Sequence, residues 1–238
     1  MESTAKESLT ADGRASAPAE QLLSPQQPLK PKLRGWLHAG MVPAALAAGM
    51  AAVAWAPTPG LTVAAAIYAI TGLLLFTVSA VYHLGRWSPR AKVMLKRVDH
   101  ANIMLLIAGT YTPMTPALLP EPQSTILLTG VWVGAIGGVL FRVFWTSAPR
   151  WLSTLVYVVL GLSAMWFIAD FFAADAAAAV LICAGGAAYV TGAVFYALKR
   201  PNISPHWFGF HELFHACTLI GFGLHYAAIM ISFSAVVG

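Results

Sequence analysis

Seven stretches of this chain, near 37–56, 61–84, 99–118, 124–142, 151–170, 176–198 and 208–234, are apolar for long enough to cross a membrane as helices. About 20 apolar residues, each rising 1.5 Å, span roughly 30 Å of hydrocarbon. Inside that layer every backbone N–H and C=O must find a partner within the protein, and a helix supplies it. The chain is therefore read as an all-α integral membrane protein with seven transmembrane helices. Composition agrees: of 238 residues, 58% are apolar and 10% charged, too little polar surface for a soluble domain of this size. The intervening segments are short and hold Pro, Gly and charge, as in Pro57-Thr58-Pro59-Gly60 and Pro120-Glu121-Pro122. Residues 36–238 are expected to form one membrane domain.

Residues 1–35 differ, with Ser, Ala, Gln, Pro and scattered charge but no periodicity. Such a stretch cannot bury enough apolar area to offset its ordering entropy, so a disordered cytoplasmic tail is expected. It ends in Lys30, Lys32 and Arg34. A secretory signal cleaved at Ala54-Trp55-Ala56 would need far too long a leader, so the first apolar run is read as a retained helix.

Lys and Arg set the orientation. With the amino terminus in the cytoplasm, cytoplasmic segments receive five in the tail, five between Arg86 and Arg97, then Arg142, Arg150, Lys199 and Arg200, which is all fourteen. The opposite loops hold Glu121, Asp170 and Asp175 and no base. Such asymmetry orients the chain and supports the helix count, because one missed span would scramble the alternation. The net charge of +5 is then a topology signal and an attraction to anionic lipid. It is not a nucleic-acid footprint. Cys183 and Cys217 fall inside predicted helices and read as small packing residues.

Ionisable side chains are costly in a bilayer and are functional candidates by default. His211-Glu212-Leu213-Phe214-His215 opens the last span, so His211 and His215 share a helix face, an arrangement that suits two imidazoles on one metal ion. His83 closes the second span, and Asp99 lies in the first turn of the third. The alternating topology puts all four at one level, near the cytoplasmic face. Ser79 lies one turn before His83 and on its side of the helix. Three imidazoles with an open fourth position form the ligand set of a catalytic zinc site. Zinc there activates water, Asp99 is the candidate base beside it, and Ser79 orients or donates. Glu212 competes with Asp99 for the proton-handling role. His225 lies about 15 Å from His215 at 1.5 Å per residue and reads as a buried polar contact. His100 points about 100° away from Asp99. His38 and His206 fall at helix margins and read as interfacial.

These motifs resemble the bacterial hemolysin III family, within the progestin and adiponectin receptor superfamily and the wider group that includes alkaline ceramidases. The resemblance rests on Ser79-Ala80-Val81-Tyr82-His83, on Val98-Asp99-His100 with Leu106 to Pro113, on Gly185 to Tyr196, and on His211 to His215 with Leu224-His225-Tyr226. It covers the chain from about residue 36. It implies a seven-helix fold with a cytoplasmic amino terminus, a zinc ion held by His83, His211 and His215, and Asp99 and Ser79 beside its water. It also implies a multi-pass protein of the bacterial inner membrane, working on or among membrane lipids.

Three functions are open at this level. Zinc-dependent hydrolysis of a lipid amide or ester fits an open metal position beside a carboxylate. A cytolytic pore fits the family's name, but a water-filled route needs polar residues along its length, and the helix middles are Ala, Leu, Val, Gly and Ile. A membrane-fluidity sensor would use zinc as a structural clamp. An intramembrane metalloprotease with Glu212 as base lacks a later acidic ligand, and a retinal protein lacks a mid-helix lysine.

Overall fold

A computed structural model describes residues 31–145, 147–204 and 206–237, and residues 1–30 of the expected tail lie outside them. The described residues are helical but for short connections and one isolated bridge between Ser204 and Phe208. α1 (Trp36–Trp55) packs along α2 (Pro59–Leu84). The turn between them is set by Thr58, whose hydroxyl accepts the Leu61 N–H at 3.2 Å, with Pro59 at the first helical position. A Cβ on Gly49 of α1 would lie 2.6 Å from the Ala69 methyl of α2. Small residues here let the two backbones approach, as helix packing in lipid requires.

Among the described residues, six segments are long and apolar enough to cross a membrane: α1, α2, α4 (Gln123–Phe144), Trp151–Ala174, α7 (Ala176–Leu198) and α8 (Phe210–Val237). The seventh expected span belongs to α3 (Pro89–Leu118), which is less apolar and starts at Pro89 rather than near 99. Ser88 caps it, with Pro89 behind the cap, so the charged run from Arg90 to Arg97 ends the burial and leaves the helix intact. Its middle can be polar because it touches α2, α4 and α8 and is largely buried. Thr110 and Thr112 return their hydroxyls to the Leu106 and Ala108 carbonyls, both at 2.7 Å, and Asn102 Nδ2 donates to the Leu74 carbonyl of α2 at 3.1 Å.

The fifth expected span is not one helix. It runs as α5 (Arg150–Gly161), a 3₁₀ turn over Ser163–Phe167 and α6 (Ile168–Ala174). Ser163 Oγ donates to the Leu160 carbonyl at 2.8 Å, which competes with the helix ladder. The groups freed by the break are taken by Tyr111 of α3. Its hydroxyl donates to Gly161 O at 2.8 Å and accepts the Ala164 N–H at 2.9 Å. A break at membrane depth is tolerated when its backbone is re-satisfied in this way. α7 follows at once, capped by Asp175 Oδ1, which accepts the Ala178 N–H at 2.8 Å.

The core joins Tyr68 and Phe76 of α2, Met104 of α3 and Phe222, Ile229 and Phe233 of α8, all buried. Cys183 and Cys217 are free thiols. The start of α1, the end of α2 and the starts of α3 and α8 meet at one end of the bundle, where Arg34, Arg86 to Arg97 and Lys199-Arg200 also lie.

Candidate metal centre

α8 owes its start to Glu212. The buried carboxylate accepts the Gly209 N–H on Oε2 at 2.8 Å, satisfying a donor at the helix entry, while Oε1 pairs with Arg34 Nε. That anchored first turn carries His211, and His215 follows one turn later on the same face. Opposite them stands His83, in the last turn of α2. His211 Nε2 lies 3.1 Å from His83 Nε2. The ring centroids are 4.7 Å apart for His83 and His211, 4.5 Å for His211 and His215, and 5.2 Å for His83 and His215. One ligand atom from each of these three residues lies within 4.8 Å of the others. They are the three histidines expected from their shared depth in the sequence.

Asp99 and Ser79 meet beside them. Ser79 is 3% exposed and the Asp99 side chain 13%. His100 does not point away as its helical position implied. Its Nδ1 lies 2.8 Å from the Lys96 carbonyl and 3.5 Å from Asp99 Oδ2, because turning back along the helix brings the ring alongside the preceding carboxylate. Ser79, Asp99, His211 and His215 line the head of a cavity of about 120 Å³. Along α8 it extends from His211 to His225, about 21 Å at 1.5 Å per residue. Beyond the head its walls are mainly apolar, with Ile107, Val158 and Val190 among them. At its other end His225 Nε2 donates to the Ile182 carbonyl at 3.1 Å, the buried polar contact expected of it.

Two further residues stand at the centre. His38, placed at a helix margin, is 2% exposed and stacks on His215, with centroids 3.8 Å apart and planes within 13°. Arg34, a topology charge by its place in the sequence, is the partner of Glu212. The signal for His38 was present: an imidazole just inside an apolar span meets the same criterion that singled out His83. His206 is exposed, as a margin residue should be, and its carbonyl accepts the Lys32 N–H at 2.9 Å.

The donor set fits zinc. With Zn–N near 2.0–2.1 Å, two nitrogens of a tetrahedral ion lie about 3.3 Å apart, close to the His83–His211 separation.

A profile of the family described as "Haemolysin-III related" matches residues 26–226. The chain belongs to this haemolysin-III-related family. It is 33% identical over 156 residues to the Hemolysin-3 homolog of Bacillus subtilis (strain 168), covering 65% of this chain and 70% of that protein. It is 29% identical over 174 residues to Hemolysin-3 of Bacillus cereus, covering 73% and 76%. A plant relative, the Heptahelical transmembrane protein ADIPOR2 of Oryza sativa subsp. japonica, is 27% identical over 183 residues, covering 68% of this chain and 79% of that one. Family membership and the apolar helices together make this haemolysin-III relative a multi-pass membrane protein.

Proposed function

We propose that this chain spans the bacterial cytoplasmic membrane seven times, with its amino terminus inside, and hydrolyses a lipid amide or ester with a zinc ion held by His83, His211 and His215. The observation that carries the reading is the meeting of His83, His211 and His215, with His211, His215, Asp99 and Ser79 lining the head of a long, mainly apolar cavity. An acyl chain suits those walls, and its amide or ester then lies at the polar head. When bound, zinc supplies the Lewis acid that polarises an acyl carbonyl and activates water.

The chain's own groups do the rest. Asp99 accepts the proton of the attacking water as the new C–O bond forms, and returns it to the amine or alcohol as the C–N or C–O bond breaks. Ser79 shares the cavity with Asp99, where its hydroxyl orients the carboxylate. Glu212 is not available as base, since both of its oxygens are engaged by Gly209 and Arg34.

The test is Asp99→Asn, which keeps shape and removes the base. A positioned base contributes about 10²–10⁴ in rate, so the variant retains zinc and loses most turnover in a screen of bacterial lipid extracts. The lytic activity implied by the name of the Bacillus cereus relative is the second reading. It predicts zinc-independent conductance from purified protein in bilayers. Absence of metal-dependent turnover, with full cellular activity in Asp99→Asn, would leave the zinc as a structural clamp.

A further inference from the structure

A histidine that ligates a metal normally donates its other ring N–H to a carboxylate or carbonyl, and that bond sets the orientation of the ring. His215 has no such support among the described residues: its Nδ1 is buried without a partner there. The nearest ring to it is His38, stacked on its face 3.8 Å away and nearly parallel, while His211, His83 and Phe214 meet it at an angle and farther off. His38 is itself buried, and neither of its nitrogens makes a hydrogen bond. Whatever it does for its neighbours, it does through its ring faces and edges.

The other side of His38 is braced. Phe76 of α2 meets it edge-on, with centroids 5.2 Å apart at 81°. Phe222 meets Phe76 edge-on at 5.1 Å and stacks on Tyr68 at 5.2 Å. Phe222 has room because residue 72 is glycine, where a Cβ would lie 2.9 Å from its ring. The start of α1 is held as well, by the Arg34–Glu212 pair and by the Lys32 and Leu33 N–H groups, which donate to the His206 and Trp207 carbonyls. Gly35 makes the entry possible, with φ at +91° and no Cβ to strike His83.

We infer that His38 is a positioning residue for the metal ligand His215, its stacked ring replacing the hydrogen bond that would otherwise orient the ligating imidazole. The inference rests on the zinc reading above. It assigns α1, which supplies none of the three candidate ligands, a direct part in metal affinity.

The test measures zinc affinity of detergent-purified protein by chelator competition, together with the visible spectrum of the cobalt-substituted protein. Loss of an outer support of this kind costs about 10- to 100-fold in metal affinity. His38→Ala should show that loss and an altered cobalt spectrum. His38→Phe, which keeps a flat ring against His215, should restore both to near wild type. Wild-type affinity and spectrum in His38→Ala would overturn the inference, as would His38→Phe losing as much as His38→Ala. Wild-type protein that binds no more zinc than His211→Ala would overturn the zinc reading itself, and this inference with it. The two failures are thus distinguishable.

Discussion

Arg34 Nε donates to Glu212 Oε1, joining the residue before α1's capping glycine to the first turn of α8 across the mouth of the histidine cluster. The Glu212 side chain is 0% exposed and that of Arg34 20%. Removing one partner of a buried pair leaves an uncompensated charge and costs about 3–5 kcal/mol, whereas removing both is far milder. Arg34→Met should therefore lower the thermal stability of the detergent-solubilised protein, and Arg34→Met with Glu212→Gln should recover much of the loss. A double-mutant cycle with no coupling would mean that the pair contributes nothing.

Zinc content should follow the geometry of the three imidazoles. His211 and His215 sit on one helix and close on His83 from another. His211→Ala and His215→Ala should bring metal, measured by mass spectrometry on protein purified without chelators, to background. His83→Ala should weaken binding and leave the α8 pair. One zinc per chain is expected in the wild type, and stoichiometric metal in His211→Ala would place the ion elsewhere.

Tyr111→Phe should cost more than a surface hydroxyl. The change leaves the Gly161 carbonyl and the Ala164 N–H without their partner at a break in the fifth span. Each buried group left unsatisfied costs about 1–3 kcal/mol. The expected result is a lowered melting temperature with faster hydrogen exchange localised to 161–165. Unchanged exchange there would show that other groups satisfy the break.

Orientation is open to thiol labelling in a background with Cys183→Ala and Cys217→Ala. Glu121→Cys and Ala174→Cys, both exposed, should react in intact cells with an impermeant reagent, and the exposed Arg90→Cys should not. The choice of Ala174 leaves the Asp175 cap of α7 in place. The opposite pattern would turn the chain over and move the histidine cluster to the other leaflet.

Length and apolar composition alone determined the helical architecture, since a bilayer admits few solutions for an apolar run of that length. That constraint also placed His83, Asp99, His211 and His215 at one level before any contact was known. It could not show which side chains at that level touch. The break after Gly161 is invisible in an unbroken apolar run, because it depends on a tyrosine fifty positions earlier in the chain arriving at the right depth. The sequence favours Asp99 over Glu212 as base without excluding the latter; in the structure Arg34 and Gly209 engage Glu212, and Asp99 lines the cavity with Ser79. His38 read as a margin residue because hydropathy reports depth along a helix and says nothing of the direction a ring faces. Its stack on His215 exists only once α1 is packed against α8, and packing between distant helices is decided by shape in three dimensions.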